Sequence, residues 1–222
     1  MIQMGSHGGD IYINMGNMLP LIFVDTETTH LDSSIGEIIE IAIIIDHPGR
    51  GSLVWSKKIK PMRIEDADPK ALEINGYNEE DWETALPFSH YANYICWLLR
   101  AGVIIGHRVD FDLGFIRAGL ERAGVEEKIT HRKIDTIQLA MEHLPLSKYS
   151  MYSIRKFFGW SHKKSHTALK DCKDCRKLYY TVVRSNIFQR WRWKTQLYYK
   201  KIILSLQKRK KRKRDDLRDT LR

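Results

Sequence analysis

Gly36–Ile45 reads Gly-Glu-Ile-Ile-Glu-Ile-Ala-Ile-Ile-Ile. Its β-branched side chains are stiff at χ1 and suit a pleated strand better than a helix. Upstream, Pro20-Leu21-Ile22-Phe23-Val24-Asp25 is a short apolar run of the kind that forms a buried central strand. Downstream, Asp46-His47-Pro48-Gly49-Arg50-Gly51 supplies turn chemistry, and Ser52–Ile59 returns as a third strand to complete a hairpin. A chain that begins this way must build a sheet and then cover it.

The covering elements follow in the sequence. Asp68–Ile74, Asn78–Leu86 and Ser89–Leu99 read as helices, the last with Tyr91, Ile95 and Leu98 on one face. Val103–Gly106 is a fourth strand, and the helix Asp112–Ala123 after it stops at Gly124. Lys133–Asp135 is a fifth, short strand, and helices are expected at Thr136–His143, Ser150–Phe158 and Thr167–Arg184. Strands first, then helices alternating with strands, define an α/β fold with a mixed sheet. At 222 residues and 43% hydrophobic content, the chain suits one domain with a real core and an appendage.

Composition excludes other classes. No stretch approaches the roughly 18 uncharged apolar residues of a membrane-spanning helix. The N-terminus lacks the basic and apolar segments of a secretory signal. Three cysteines, Cys96, Cys172 and Cys175, do not make a disulfide framework and point to a reducing, intracellular setting. The expected compartment is the cytoplasm, or the nucleus if the source is eukaryotic. Residues 1–18 are rich in Gly and Met without strand or helix period, and are expected to form a poorly ordered leader.

Charge is unevenly placed. The chain carries a net charge of +10, yet residues 187–222 alone hold 14 basic and 3 acidic residues, which leaves residues 1–186 at −1. A neutral body with a cationic tail implies a polyanionic partner, nucleic acid first and an anionic membrane surface second. In the tail, Phe188, Trp191, Tyr198, Tyr199, Ile202, Ile203 and Leu206 recur at helical spacing, so Ile187–Gln207 is expected to be an amphipathic helix. Its apolar face could pack back on the domain, its Trp191 and Trp193 could stack bases beside Arg190, Arg192 and Lys194, or it could lie on a membrane. Lys208–Arg214 is an unbroken run of seven basic residues. Such a run suits salt-sensitive nucleic-acid affinity or a nuclear localisation signal.

The chemistry lies in three acidic segments. Asp25-Thr26-Glu27 ends the first strand, where residues i and i+2 face the same side about 6.5–7 Å apart. Two carboxylates so placed repel unless a cation lies between them, and hard oxygen ligands favour Mg²⁺ or Mn²⁺ over zinc. Alone, the pair would be a solvated strand end. However, Gly106-His107-Arg108-Val109-Asp110-Phe111-Asp112 again puts carboxylates where a strand runs into a helix, and His166-Thr167-Ala168-Leu169-Lys170-Asp171 puts another in a helix's first turn. Strand ends and helix starts of an open sheet share one crevice.

In this order and at these separations, the three segments resemble the DEDDh branch of the DEDD 3′-5′ exonuclease superfamily, which includes proofreading subunits, ribonuclease T and oligoribonuclease. Phe23–Thr29 resembles its first motif, Gly106–Ile116 the second and His166–Asp171 the third, His-x-Ala-x-x-Asp. Ala71–Gly76 also looks like a helix-turn these proteins carry between motifs. The resemblance implies a ribonuclease H-like fold for the domain 19–186, a five-stranded mixed sheet with the first three strands antiparallel, flanked by helices; the basic C-terminal helix and tail at 187–222 lie beyond it. It implies that Asp25, Glu27, Asp112 and Asp171 bind two divalent ions, Mg²⁺ or Mn²⁺, and that His166 is the general base. Thr28, Leu31, Arg108 and Phe111 are then the expected substrate contacts. The implied reaction is hydrolysis from the 3′ end of single-stranded DNA or RNA, with release of 5′-nucleotides. A polymerase or a second copy of the chain is the implied protein partner.

Two departures from the motifs matter. Arg108 stands where Asn is usual, and could contact phosphate or signal altered activity. His30 stands where Gly is usual and lacks glycine's freedom at positive φ, so the loop around the terminal nucleotide is expected to differ. The alternative to an enzyme is a catalytically weak nucleic-acid-binding module on the same fold. His162, His166, Cys172 and Cys175 could be arranged as a zinc site, although Cys172 and Cys175 fall inside an expected helix as ordinary small hydrophobes. His107 reads as a strand-end hydrogen-bonding residue rather than a base, and Lys163 and Lys164 as substrate guides or a solvated loop.

Overall fold

The computed structural model describes residues 19–163 and 166–195. The leader 1–18, Lys164, Ser165 and the segment 196–222 with its basic run lie outside the described residues. Strands β1 (Leu21–Thr28), β2 (Ile38–His47) and β3 (Gly51–Lys60) are successively antiparallel, as expected. A 3-10 turn at Ile64–Asp66 and helices α1 (Pro69–Ile74) and α2 (Glu79–Trp82) lead to β4 (Leu86–Pro87) and α3 (Phe88–Leu99). Then come β5 (Val103–Gly106), α4 (Val109–Arg122), β6 (Lys133–Asp135), α5 (Thr136–His143), α6 (Met151–Phe158) and α7 (Ala168–Val183).

The sheet runs in the order β4-β3-β2-β1-β5-β6, with β5 and β6 parallel to β1 and β4 parallel to β3. Its two faces explain the near-continuous apolar β2. Ile41, Ile43 and Ile45 join Ile22 and Val24 in a core completed by α3 and α4. On the other side, Ala42 and Ile44 join Phe23 and Ile105 in a core completed by α5, α6 and α7. A strand covered on both sides gains nothing from a polar alternate position. Because β1 alternates between these faces, Asp25 and Glu27 share the side of Phe23, towards α7, while Thr26 faces α4.

The structure corrects three expectations. Among the described residues the sheet has six strands, not five. The helix expected over Asn78–Leu86 ends at Trp82, and Leu86–Pro87 pairs instead with Ile59–Lys60. Pro87 disfavours helical backbone at Leu86, and proline's missing N–H is tolerated at a sheet edge. In the tail, residues 187–195 are helical, but Phe188 and Trp191 are 78% and 66% exposed. Trp193 docks instead, its ring 5.6 Å from that of Phe158. The rest of the expected Ile187–Gln207 helix lies outside the described residues. Among the described residues no helix is long and apolar enough to cross a membrane.

Candidate active site

β1 delivers the first two carboxylates to one face, and α7 brings the third over them. Asp25, Glu27 and Asp171 each offer an oxygen within 4.8 Å of the others. Asp112 enters from α4, on the opposite side of the sheet. It is 3% exposed, and its Oδ1 accepts hydrogen bonds from the Thr26 backbone N–H at 2.9 Å and the Thr26 hydroxyl at 2.8 Å. It is thereby tied to the residue between Asp25 and Glu27. Asp110 belongs elsewhere, exposed and paired with Lys133.

Electrostatics shows what this convergence costs. Burial pushes Asp25 well above the usual carboxylate range, and Asp112, Asp171, Glu27 and Glu40 add to the shift. Glu27 is raised to about 8, by burial first and then by Asp171, Glu40 and Asp112. Burial lifts Asp112 to about 7 against the opposing hydrogen bonds from Thr26. Asp171 is also raised by burial, with Arg155 and His166 opposing. Clustered carboxylates that resist ionisation in isolation are suited to hard divalent cations, which stabilise their charged forms. The donor set therefore fits such ions.

Two residues the motifs did not name complete the site. Glu40 faces Glu27 directly across the β1–β2 register. Its carboxylate accepts from the Ala168 backbone N–H, the first residue of α7, and so pins the helix start that carries Asp171. Arg155 is 2% exposed. Its Nε donates to Asp174 at 2.7 Å, and its other end pairs with Asp171. The signal for Arg155 was available, since it falls with Met151, Ile154 and Phe158 at helical spacing on a buried face.

His166 lies exposed ahead of α7, at φ +64°, within electrostatic reach of Asp171. Lys163 is exposed as well. His107 is a strand-end residue whose Nδ1 lies 3.0 Å from the Thr136 hydroxyl, and burial lowers it to about 4. Cys172 and Cys175 are fully buried in the α7-side core, their thiols pushed up by burial, while His162 lies against the Tyr152 ring at 4.8 Å. That places the two cysteines as core residues rather than zinc ligands.

Leu31 and Phe111, the latter next to Asp112 in the chain, line an open groove of about 450 Å³ with His30, Asp32, Ser33 and Asp110. Leu31 is 77% exposed. The Thr28 hydroxyl instead donates to the His30 carbonyl at 2.8 Å, inside its own loop. His30 does not need glycine's freedom, because Arg108 and His166 are the non-glycine residues at positive φ among those described. The small residue is Gly36, where an added Cβ would come within 2.6 Å of the His30 Cβ.

Arg108 is set by its backbone. It is the α4 N-cap, at φ +80° and ψ +49°, and its N–H donates to Asp135 Oδ1 at 3.2 Å. Only Gly, Asn and Asp reach that left-handed conformation at low cost. Arg108→Gly and Arg108→Asn should therefore each stabilise the fold by about 1 kcal/mol, or roughly 2–4 °C. Thermal melts would check this, and a lower melting temperature in both variants would refute it.

Known proteins resemble this chain in sequence and in fold. A PolC-type DNA polymerase III from Thermotoga maritima is 29% identical over 153 residues, which are 68% of this chain and 11% of that protein. The 3′-5′ exonuclease DinG of Bacillus subtilis is 26% identical over 160 residues, 71% of this chain and 17% of that protein. The chain thus spans a small fraction of these relatives. Among solved structures, E. coli exonuclease I in complex with a dT13 oligonucleotide superposes with a TM-score of 0.65 at 17% identity, covering 74% of this chain and 41% of that one. Exonuclease X in complex with 5′ overhanging duplex DNA gives 0.55 at 23% identity, covering 73% and 90%. These likenesses extend the fold beyond the motifs. Since residues 22–179, from β1 into α7 and including all four carboxylates, match the RNase_T exonuclease model, the chain belongs to the exonuclease family.

Proposed function

We propose that this exonuclease domain is a metal-dependent 3′-5′ enzyme that hydrolyses phosphodiester bonds from the 3′ ends of single-stranded DNA or RNA and releases 5′-nucleotides. The observation that carries the reading is the meeting of Asp25, Glu27 and Asp171 within 4.8 Å, with Asp112 tied to Thr26 between the first two. These four would hold two divalent ions. When bound, the ions supply positive charge to the attacking and leaving oxygens of an in-line displacement. Thr26 holds the Asp112 carboxylate in place, and Glu40 holds the start of α7. His166, exposed at the mouth of the site, takes the proton of the attacking water. Leu31 and Phe111 offer apolar surface in the groove for the terminal base.

The PolC-type relatives support a polymerase as partner or neighbour, with a second copy of the chain as the other candidate. The basic segment 187–222 adds salt-sensitive affinity for the strand. Three buried cysteines without disulfides suit a reducing compartment inside the cell.

Matched DNA and RNA oligonucleotides, labelled at the 5′ end, test the reading. With Mg²⁺ or Mn²⁺ the label should step down a ladder from the 3′ end, and EDTA should stop it. Binding without any product in either metal would favour the catalytically weak module.

A further inference from the structure

One cation is built into the wall of the acidic site. Arg155 sits at the end of α6, 2% exposed, with Nε on Asp174 at 2.7 Å and Nη2 paired with Asp171 Oδ1. Asp174 is itself buried and also paired with Lys170, so the guanidinium is anchored at its far end. Arg155 cannot swing towards a strand in the groove. It acts on the site through its ion pair with Asp171 and through its charge near Glu27.

We infer that Arg155 is a positioning residue and a fixed counter-cation: it holds Asp171 by one oxygen and moderates the site's grip on divalent ions. This rests on the reading of Asp25, Glu27, Asp112 and Asp171 as ion ligands. Asp25, Glu27 and Asp171 converge within 4.8 Å, with Asp112 and Glu40 close by; ionised carboxylates so placed repel one another when no ion is bound, and a buried guanidinium on one of them offsets part of that repulsion. A divalent ion held by the other oxygen of Asp171 would lie next to the same positive charge, which would weaken its binding. One residue therefore steadies the ion-free protein and limits how tightly ions are held. A strut that merely joins α6 to α7 would do the first and not the second.

The experiment is Mn²⁺ titration by calorimetry, with melting curves in EDTA and in Mn²⁺, on the full chain. The proteins are wild type, Arg155→Met, Arg155→Lys and Asp25→Asn. Arg155→Met should melt lower in EDTA, bind Mn²⁺ about tenfold tighter and show a larger Mn²⁺-induced rise in melting temperature than wild type. Arg155→Lys, which keeps the charge, should bind Mn²⁺ close to wild type. If Arg155→Met fails to fold, Arg155→Met/Asp174→Leu removes the carboxylate it would orphan, and its Mn²⁺ affinity is compared with that of Asp174→Leu, again expecting tighter binding. Mn²⁺ affinity that is unchanged or weaker without Arg155 overturns the inference alone. Failure of wild type to take up Mn²⁺, or undiminished uptake by Asp25→Asn, removes the ion-ligand reading and this inference with it.

Discussion

Asp25→Asn is expected to lose about a thousandfold in Mg²⁺-dependent exonuclease activity while melting higher than wild type in EDTA. The two effects have one cause. Asp25 is half-buried, with Asp112, Asp171, Glu27 and Glu40 near enough that all oppose its ionisation. Asparagine keeps the shape and removes the charge, so the ion-free fold loses a repulsion just as the ion site loses a ligand. The expected gain is a few degrees in the melting temperature, the size that about 1–2 kcal/mol gives in a chain of this length. Asp171→Asn should lose activity to a similar degree but gain less stability, because it also gives up the Arg155 ion pair. Full activity in both variants would reject the site assignment, and a lower melting temperature for Asp25→Asn in EDTA would reject the electrostatic account.

The second large effect is on pH. Glu27, raised to about 8, and Asp112, raised to about 7, bind protons in the folded state at pH values where the unfolded chain has released them. Where the native state holds more protons, stability falls as pH rises. The stabilisation these groups contribute is thus complete below about pH 4 and is lost as pH climbs through 7 and 8. At the acid end, Asp46 works the other way. Although burial alone would raise it, hydrogen bonds from Arg176, Ser52 and Tyr180 hold it below the usual carboxylate range. Its contribution disappears as pH drops through that lowered value. In EDTA the chain should therefore be most stable near pH 4 and lose on the order of a few kcal/mol by pH 8. Mg²⁺ or Mn²⁺ should remove most of the alkaline loss, since ligand binding to the native state adds stability. A flat profile from pH 5 to 8 in EDTA, or the same decline with and without ion, would contradict this.

Much of this site was readable along the chain. Asp25 and Glu27 had to share a face because strand side chains alternate, and the structure puts both on the α7 side. The motif register chose Asp112 over Asp110. The reason is visible only in three dimensions, since α4 begins at Val109 and turns Asp112 inwards while Asp110 meets Lys133. The motif resemblance makes Thr28 a nucleotide contact, and the fold adds that its hydroxyl donates to the His30 carbonyl in its own loop. Helical spacing puts Phe188 and Trp191 on the tail's apolar stripe, whereas in the fold both are exposed and Trp193 makes the contact with Phe158.

By itself the sequence determined what depends on neighbours within a turn or a strand: the order of the main strands and helices, and the alternation that pairs Asp25 with Glu27. Tertiary structure alone decided which charges meet. Thr26 grips Asp112 across 86 residues, Glu40 caps a helix that begins at Ala168, and Arg155 is shut in beside Asp171. The physical reason is range. Periodicity and turn chemistry act over a few bonds, whereas burial and Coulomb interaction depend on distances in space, which exist only once the sheet and both helix layers have closed.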